Sequence, residues 1–268
     1  MAENPVIKKF GAMSRVDADT PSAVDLQKLY DQPAYAGPRG AARYMTLDDV
    51  VQRTAAMLGV LLIAGAASWV LVPVGSHHAL PIVFGAVIAG FALAMYISFT
   101  GKANAATCLT YSALEGVALG AISRAYDDVY PGIVLQAVMG TVLVAVGMLF
   151  VYRIGAIRVT PRSMRIFSAM MFGALALMVV DLISEWVSPG SIGFGDKGAL
   201  GVIITIAFIG LAAYSLVVDY DMIERGIRNG ADQKFAWYAS FGLMVTLVWL
   251  YLNILRLLAI VQGGGGRR

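Results

Sequence analysis

Seven long apolar runs alternate with short polar segments along the chain. Each run is about 19 residues or longer, which at about 1.5 Å of rise per residue is enough to cross roughly 30 Å of hydrocarbon as an α-helix. Helices are the expected form because they satisfy their backbone polar groups internally. The predicted spans are residues 55–74, 80–99, 105–123, 133–152, 164–186, 199–223 and 236–261. The pattern therefore predicts an all-α membrane protein, a seven-transmembrane-helix bundle.

Local signals place the ends of two of these helices. Thr46 and Asp49 form a capping-box-like pattern, which predicts a helix from about Leu47 that continues into the first span. The sixth helix is expected to run on to about Arg228. Gly230, in the turn that follows, is suited to end it.

The regions outside the spans are polar and short of hydrophobic residues. Residues 1–45 are broken by prolines and are predicted to be a disordered cytoplasmic tail. Residues 46–262 form the predicted transmembrane domain, and the glycine-rich residues 263–268 a flexible tail. The first apolar run begins too late for a cleaved leader, so the first span is expected to be retained.

Composition agrees with a membrane location. The chain is 59% hydrophobic and 14% charged, whereas soluble domains carry about 25% charged residues. So few charges cannot cover a water-facing surface, and the lipid bilayer is the predicted partner. The basic residues are spread between the spans rather than gathered into one patch, which argues against nucleic acid.

The basic residues predict an orientation. Of the 20 lysines and arginines, 15 fall on the side of the N-terminal tail and of the second, fourth and sixth loops, and 4 fall on the other side, with Arg256 inside a span. Because loops rich in lysine and arginine stay in the cytoplasm, we expect a multi-pass cell (inner) membrane protein with its N-terminus cytoplasmic and its C-terminus outside.

Ionisable side chains inside spans are rare and mark candidate sites. Glu115 lies near the midplane of the third span, and Asp219 lies in the inner half of the sixth. For Glu185, Asp221 and Arg256 a position near the interface is the alternative, because long or terminal side chains reach the headgroups. Asp181 lies towards the outer end of the fifth span, where Arg256 could instead pair with it.

A buried carboxyl group has chemistry suited to a gated cation path. A carboxyl group among apolar side chains holds its proton to higher pH, and a second carboxyl group nearby strengthens the effect. The neutral form can donate a hydrogen bond across helices. The ionised form attracts a cation and repels a like neighbour.

Catalytic chemistry has little support. His77 and His78 are adjacent and lack metal-ligand spacing. The HExxH, GxSxG and P-loop patterns are missing. Cys108 is expected to be a buried thiol, and Ser112 and Ser215 are expected to bond to helix backbone or to a neighbouring helix. We predict neither an enzyme nor a cofactor nor a metal site.

Three motifs together resemble the Bax inhibitor-1 family, also called the YccA or transmembrane Bax inhibitor motif family, in a bacterial-type member. They are the "LEG" around Glu115, the Asp219–Tyr220 pair with Ile223, and the closing "ILRLL", residues 254–258. The resemblance covers about residues 46–260. It implies a seven-helix bundle with the last helix central, acting as a pH-sensitive calcium leak through two aspartates, one in the sixth helix and one in the seventh.

The chain departs from this family at the second aspartate, because its seventh span contains none. Counting back from Arg256 places that position at Thr246. In an antiparallel hairpin with its turn centred between residues 232 and 233, Asp219 is also level with Thr246. If "LYLN" is instead matched to the family's LYLD, the position of the second aspartate falls on Asn253, about 10 Å from Thr246 along the helix. For Asp219 to share a proton with a second carboxyl group, another acidic residue must then be its partner, and Asp221 and Glu115 are the candidates.

Two functions remain open at this point. The first is a pH-sensitive cation leak channel or transporter, with calcium or protons as candidate ions, acting through Asp219 and its neighbours. The alternative is a non-transporting membrane regulator that binds partner membrane proteins, such as a membrane-bound protease, through the polar N-terminal tail.

Overall fold

A computed structural model describes residues 43–72, 79–187 and 199–265. Within these ranges the chain forms seven long helices, each of sufficient length and apolar character to cross a membrane. They are α1 (Leu47–Leu71), α2 (Ala79–Thr100), α3 (Ala105–Val129), α4 (Ile133–Arg153), α5 (Pro161–Val187), α6 (Ala199–Arg228) and α7 (Phe235–Gly265). All seven predicted spans therefore correspond to helices.

The predicted helix ends follow from local hydrogen bonds. The Thr46 hydroxyl accepts the Asp49 backbone N–H at 3.2 Å, and the Asp49 carboxylate accepts the Thr46 backbone N–H at 3.0 Å, which confirms the capping box. Gly230 has a positive φ of 64° and follows the last residue of α6. The backbone N–H of Ala231 then bonds to the Gly226 carbonyl at 2.9 Å, which satisfies one of the free carbonyls at the helix end.

Two helices run beyond their predicted spans. Helix α3 continues to Val129, past the predicted end at residue 123, because its polar last turns find partners outside the apolar stretch. Arg124 bonds to the Trp69 carbonyl, and Asp127 accepts the Gly132 N–H at 2.8 Å. Helix α7 continues to Gly265, beyond the boundary predicted at residue 262.

The last helix is the centre of the bundle. Helix α7 packs against α1, α3, α4 and α6. Half of its most apolar stretch is buried, compared with 6% for α5. The main core lies around it and includes Ala212, Leu216 and Leu250, all fully buried. This arrangement confirms the predicted seven-helix bundle with its last helix, α7, at the centre.

Helices α1 and α3 meet through small residues. A Cβ added at Gly120 would lie well inside 3 Å of the Gly65 backbone, and one at Gly116 would clash with the Leu61 carbonyl. Small residues let membrane helices approach until their backbones touch. Gly116 and Gly120 therefore form the close contact of α3 with α1.

The start of α1 is fixed to the turn between α6 and α7. The Met45 N–H bonds to the Ala231 carbonyl at 2.8 Å, and the Gln233 side-chain amide donates to Asp49 at 2.7 Å. Arg53 donates to the Gln233 carbonyl and lies over the Trp237 ring, 5.1 Å from its centroid. The N-terminal end of α1 is therefore bonded to the α6–α7 hairpin, which carries Asp219.

Candidate functional site

Asp219 is a buried carboxylate between the two most central helices. It lies on α6 and is 8% exposed. Its Oδ2 accepts a hydrogen bond from the Thr246 hydroxyl of α7 at 2.7 Å, and Thr246 is 5% exposed. The hairpin geometry predicted that these two residues lie at one level, and this contact confirms it.

A second hydroxyl extends this contact into a chain. Ser215, one helical turn before Asp219, lies 3.3 Å from the Thr246 hydroxyl oxygen. A hydroxyl has one proton to donate. Because Thr246 donates to the carboxylate, Ser215 must be the donor to Thr246. Ionised Asp219 therefore orients two hydroxyl groups in one direction.

The other oxygen of the carboxyl group faces a glycine. A Cβ at Gly242 would lie 3.5 Å from Asp219 Oδ1 and 3.6 Å from the Met222 methyl group. Gly242 is one turn before Thr246 on α7, so the two share a helix face. Among the described residues, Oδ2 alone of the two oxygens has a protein hydrogen bond.

Apolar layers lie on both sides of the carboxylate along the helix axes. On one side Leu216 and Leu250 are fully buried in the main core. On the other, towards the α6–α7 turn, Ile223 and Ala239 are buried with Met222 packed against them. A charge here has little access to water, so its hydrogen bonds and any cation it attracts dominate its energy.

The two proposed second acids are not hydrogen-bonded to Asp219. Asp221 is partly exposed and forms an ion pair with Arg225 on its own helix at 2.7 Å. Glu115 is half-buried on α3, and its carboxylate faces Gly90 of α2, where an added Cβ would lie 3.8 Å from Oε1. The structure therefore joins Asp219 to hydroxyl groups rather than to a second carboxyl group.

Asn253 and Arg256 lie further along α7. Asn253 is buried, and its side-chain amide donates to the Trp249 carbonyl of its own helix at 2.8 Å. Thr246, not Asn253, is thus the residue of α7 beside Asp219. Arg256 is half-buried, and within the described residues no ion pair involves it.

Several predicted candidates cannot be placed. The side chains of Asp181 and Glu185, and all of His77 and His78, lie outside the described residues. In the part that is described, no group of three or more His, Cys, Asp or Glu side chains is arranged to hold a metal ion.

The thiol and the hydroxyl groups behave as predicted for packing groups. Cys108 is fully buried. The Ser112 hydroxyl donates to the Cys108 carbonyl at 2.9 Å, which is a common bond within a helix. Ser215 bonds to a neighbouring helix instead, as the second of the two expected alternatives.

Ser215 and Gly242 belong to the site although sequence reasoning did not include them. Each lies four residues before a predicted site residue, Ser215 before Asp219 and Gly242 before Thr246. Residues four apart share a helix face. This spacing was the available signal in the sequence. Only the packing of α6 against α7 shows that Ser215 and Gly242 lie beside the site.

A comparison with protein families fits this architecture. The family model described as "Bax inhibitor 1 like" matches residues 4–263, nearly the whole chain. The chain belongs to this family. Family membership and the seven apolar helices together make it a multi-pass membrane protein in contact with the lipid bilayer, from a family that is generally non-enzymatic. The match starts at residue 4, whereas the resemblance inferred from the sequence motifs starts at about residue 46. A comparison with curated proteins found no match.

Proposed function

We propose that this Bax inhibitor 1-like protein is a pH-sensitive cation leak pathway in its membrane, with calcium as the first candidate ion. The observation that carries the proposal is the buried Asp219 carboxylate, bonded to Thr246 across the α6–α7 interface. Ionisable groups inside a membrane bundle mark ion and proton pathways. Here the carboxylate lies against the central helix, so a change in its charge alters a buried contact between α6 and α7.

The protonation state of Asp219 is the proposed switch. When ionised, the carboxylate accepts the Thr246 hydroxyl and attracts a cation. When protonated, it is neutral and has no electrostatic attraction for a cation. We therefore expect cation flux to be greater above the titration of this group than below it.

Few other ionisable groups can disturb this switch. Helix α7 has no acidic, basic or histidine residue between positions 235 and 255. Tyr152 of α4 is bonded to Glu224, and Arg53 of α1 is bonded to the α6–α7 turn. The charged side chains described on α5 are Arg162 and Arg165 in its first turns. Asp219 is therefore expected to titrate as a single group.

Liposome flux measurements test the proposal. The full chain is reconstituted with a calcium indicator inside, and flux is recorded across a pH series for wild type, Asp219→Asn and Asp221→Asn. Asp219→Asn keeps the shape and removes the charge, so its flux should be low and independent of pH. Asp221→Asn is the matched control, because that carboxylate is partly exposed and paired with Arg225.

Two outcomes would overturn the proposal. One is a wild type that conducts no cation at any pH, which would favour the regulator hypothesis. The other is an Asp219→Asn variant whose flux and pH profile equal those of the wild type.

A further inference from the structure

Small residues line one side of α7 between Thr246 and the α6–α7 turn. Gly242, Ala239 and Ala236 lie four, seven and ten residues before Thr246, which places them on the same side of the helix. Ala239 and Ala236 are fully buried. Because such short side chains cannot fill the space in front of them, side chains from other elements must fill it.

Met45, which precedes α1, fills part of this space. It is 2% exposed and belongs to a cluster of buried apolar residues from α1, α6 and α7. The other members of the cluster are Val50, Ile223, Ala236 and Ala239. The Met45 sulfur lies 3.5 Å from a Cβ built on Gly226 of α6. Gly226 follows Asp219 by two helical turns, about 10 Å, on the same side of α6. The Met45 side chain therefore lies on the turn side of Asp219.

The backbone on both sides of Met45 is bonded to the α6–α7 turn. The Met45 N–H donates to the Ala231 carbonyl at 2.8 Å, and Tyr44 and Asp232 form an antiparallel bridge. Residues 44–46 are called the strap below. The strap is three residues long, lies outside the helices and is attached to the turn by this bridge.

Two methionines occupy successive levels between Asp219 and the turn. The Met222 methyl group lies 3.6 Å from a Cβ built on Gly242, beside the carboxylate, and Met45 lies nearer the turn. Methionine is unbranched and fills irregular gaps between other side chains. A short segment outside the helices can open locally at a lower free energy than the helices that it touches. Met45 can therefore leave its position while the bundle stays folded.

We propose that the strap is a gate at the α6–α7 end of the bundle. With Met45 seated, the route from that end to Asp219 is closed, and the route opens when the strap detaches from the turn. An apolar constriction stops ions because water does not fill it. This inference rests on the proposed cation pathway, since it assigns the strap to one end of that pathway.

Thiol accessibility tests the gate without any measurement of flux. The full chain carries Thr246→Cys as a reporter beside Asp219, with Cys108→Ala to remove the native thiol. The protein is purified in detergent and treated with a cationic methanethiosulfonate, and the modified fraction is followed by intact-protein mass spectrometry. Met45→Ala should speed the labelling of residue 246 by at least about tenfold, because truncating a buried methionine weakens the seated state by more than that factor.

Two control variants separate opening of the gate from general loosening of the core. Met45→Leu nearly conserves the volume of the side chain, so its reporter should be labelled about as slowly as in the parent. Met57→Ala also truncates a fully buried methionine of the same end of the chain, but Met57 belongs to a different cluster, around Cys108. It should lower the stability and speed the labelling much less than Met45→Ala.

A reversible crosslink tests the movement of the strap itself. Tyr44 and Asp232 face each other as a pair without mutual hydrogen bonds, because the bond beside them joins residues 45 and 231. The Cα atoms of such a pair are about 4.5 Å apart, which a disulfide can span. Tyr44→Cys with Asp232→Cys, in the Cys108→Ala background, should lose calcium flux in liposomes when oxidised and regain it with reductant. Each single cysteine variant should be insensitive to the reductant.

Two results would overturn the gate. One is a labelling rate that Met45→Ala does not raise, or that Met57→Ala raises equally. The other is a conducting protein whose flux is the same with the crosslink oxidised and reduced. A wild type that conducts no cation would instead contradict the proposed function, and the labelling rates would still decide whether Met45 closes this end of the bundle.

Discussion

Gly120 of α3 lies directly against the backbone of Gly65 of α1, so that a Cβ on Gly120 has no room. The two helices thus pack through their main chains over this turn. In a bilayer, where apolar burial gives little driving force between helices, such close van der Waals contact is a main source of association.

Gly120→Ala should destabilise the bundle. The added methyl group must push α1 and α3 apart, and overpacking of this kind costs about 1–3 kcal/mol. Thermal unfolding in detergent should show a clear fall in Tm. Gly147→Ala, at an exposed position of α4 with no atom within 4 Å of the new Cβ, should leave the Tm unchanged or slightly higher. Equal effects of the two substitutions would contradict the backbone contact.

The Thr246 hydroxyl should stabilise the protein mainly when Asp219 is ionised. A hydrogen bond to a charged group contributes about 1.5–3 kcal/mol, more than one to a neutral group. Thr246→Val keeps the shape and removes the donor, so its loss of Tm should be larger at high pH than at low pH. Thr246→Ser retains the hydroxyl and serves as the control. A Thr246→Val deficit that is independent of pH would be inconsistent with ionisation of Asp219.

Arg53 should hold the start of α1 against the α6–α7 turn. Its guanidinium donates to the Gln233 carbonyl, stacks on Trp237 and approaches Asp49 at 3.7 Å. Arg53→Met should lower the Tm and speed hydrogen exchange at the Met45 amide, which bonds to the turn. Arg53→Lys should rescue little, because an ammonium group lacks the planar shape that stacks and bonds together.

Lys102→Met is the matched control for Arg53. Lys102 is exposed in the α2–α3 connection, and no ion pair within the described residues involves it. Its replacement should change neither the Tm nor the exchange of the Met45 amide. If Arg53→Met leaves that amide as protected as in the wild type, the backbone contacts alone hold the segment.

The helices could be predicted from the sequence because the thickness of the bilayer sets the length of each apolar run. The level of Asp219 with Thr246 could also be predicted, because it depends on counting residues from a single turn. Contacts between segments that are far apart in the sequence could not be predicted. Nothing in the spacing of Asp49 and Gln233, which are 184 residues apart, indicates that they are bonded.

The Ser123–Tyr251 hydrogen bond should show strong coupling between its two partners. The two hydroxyl oxygens are 2.6 Å apart, joining α3 to the central helix, and Ser123 is 5% exposed. Removing one partner leaves the other buried without a hydrogen bond, which costs about 1–3 kcal/mol, whereas removing both avoids that penalty. Tyr251→Phe and Ser123→Ala should therefore each lower the free energy of unfolding, and the double variant should lose less than the two losses together. Tyr238→Phe is the control, because the Tyr238 hydroxyl makes no hydrogen bond to the described residues, and it should have little effect. Strictly additive losses, measured by reversible unfolding in mixed micelles, would show that the two hydroxyl groups act independently.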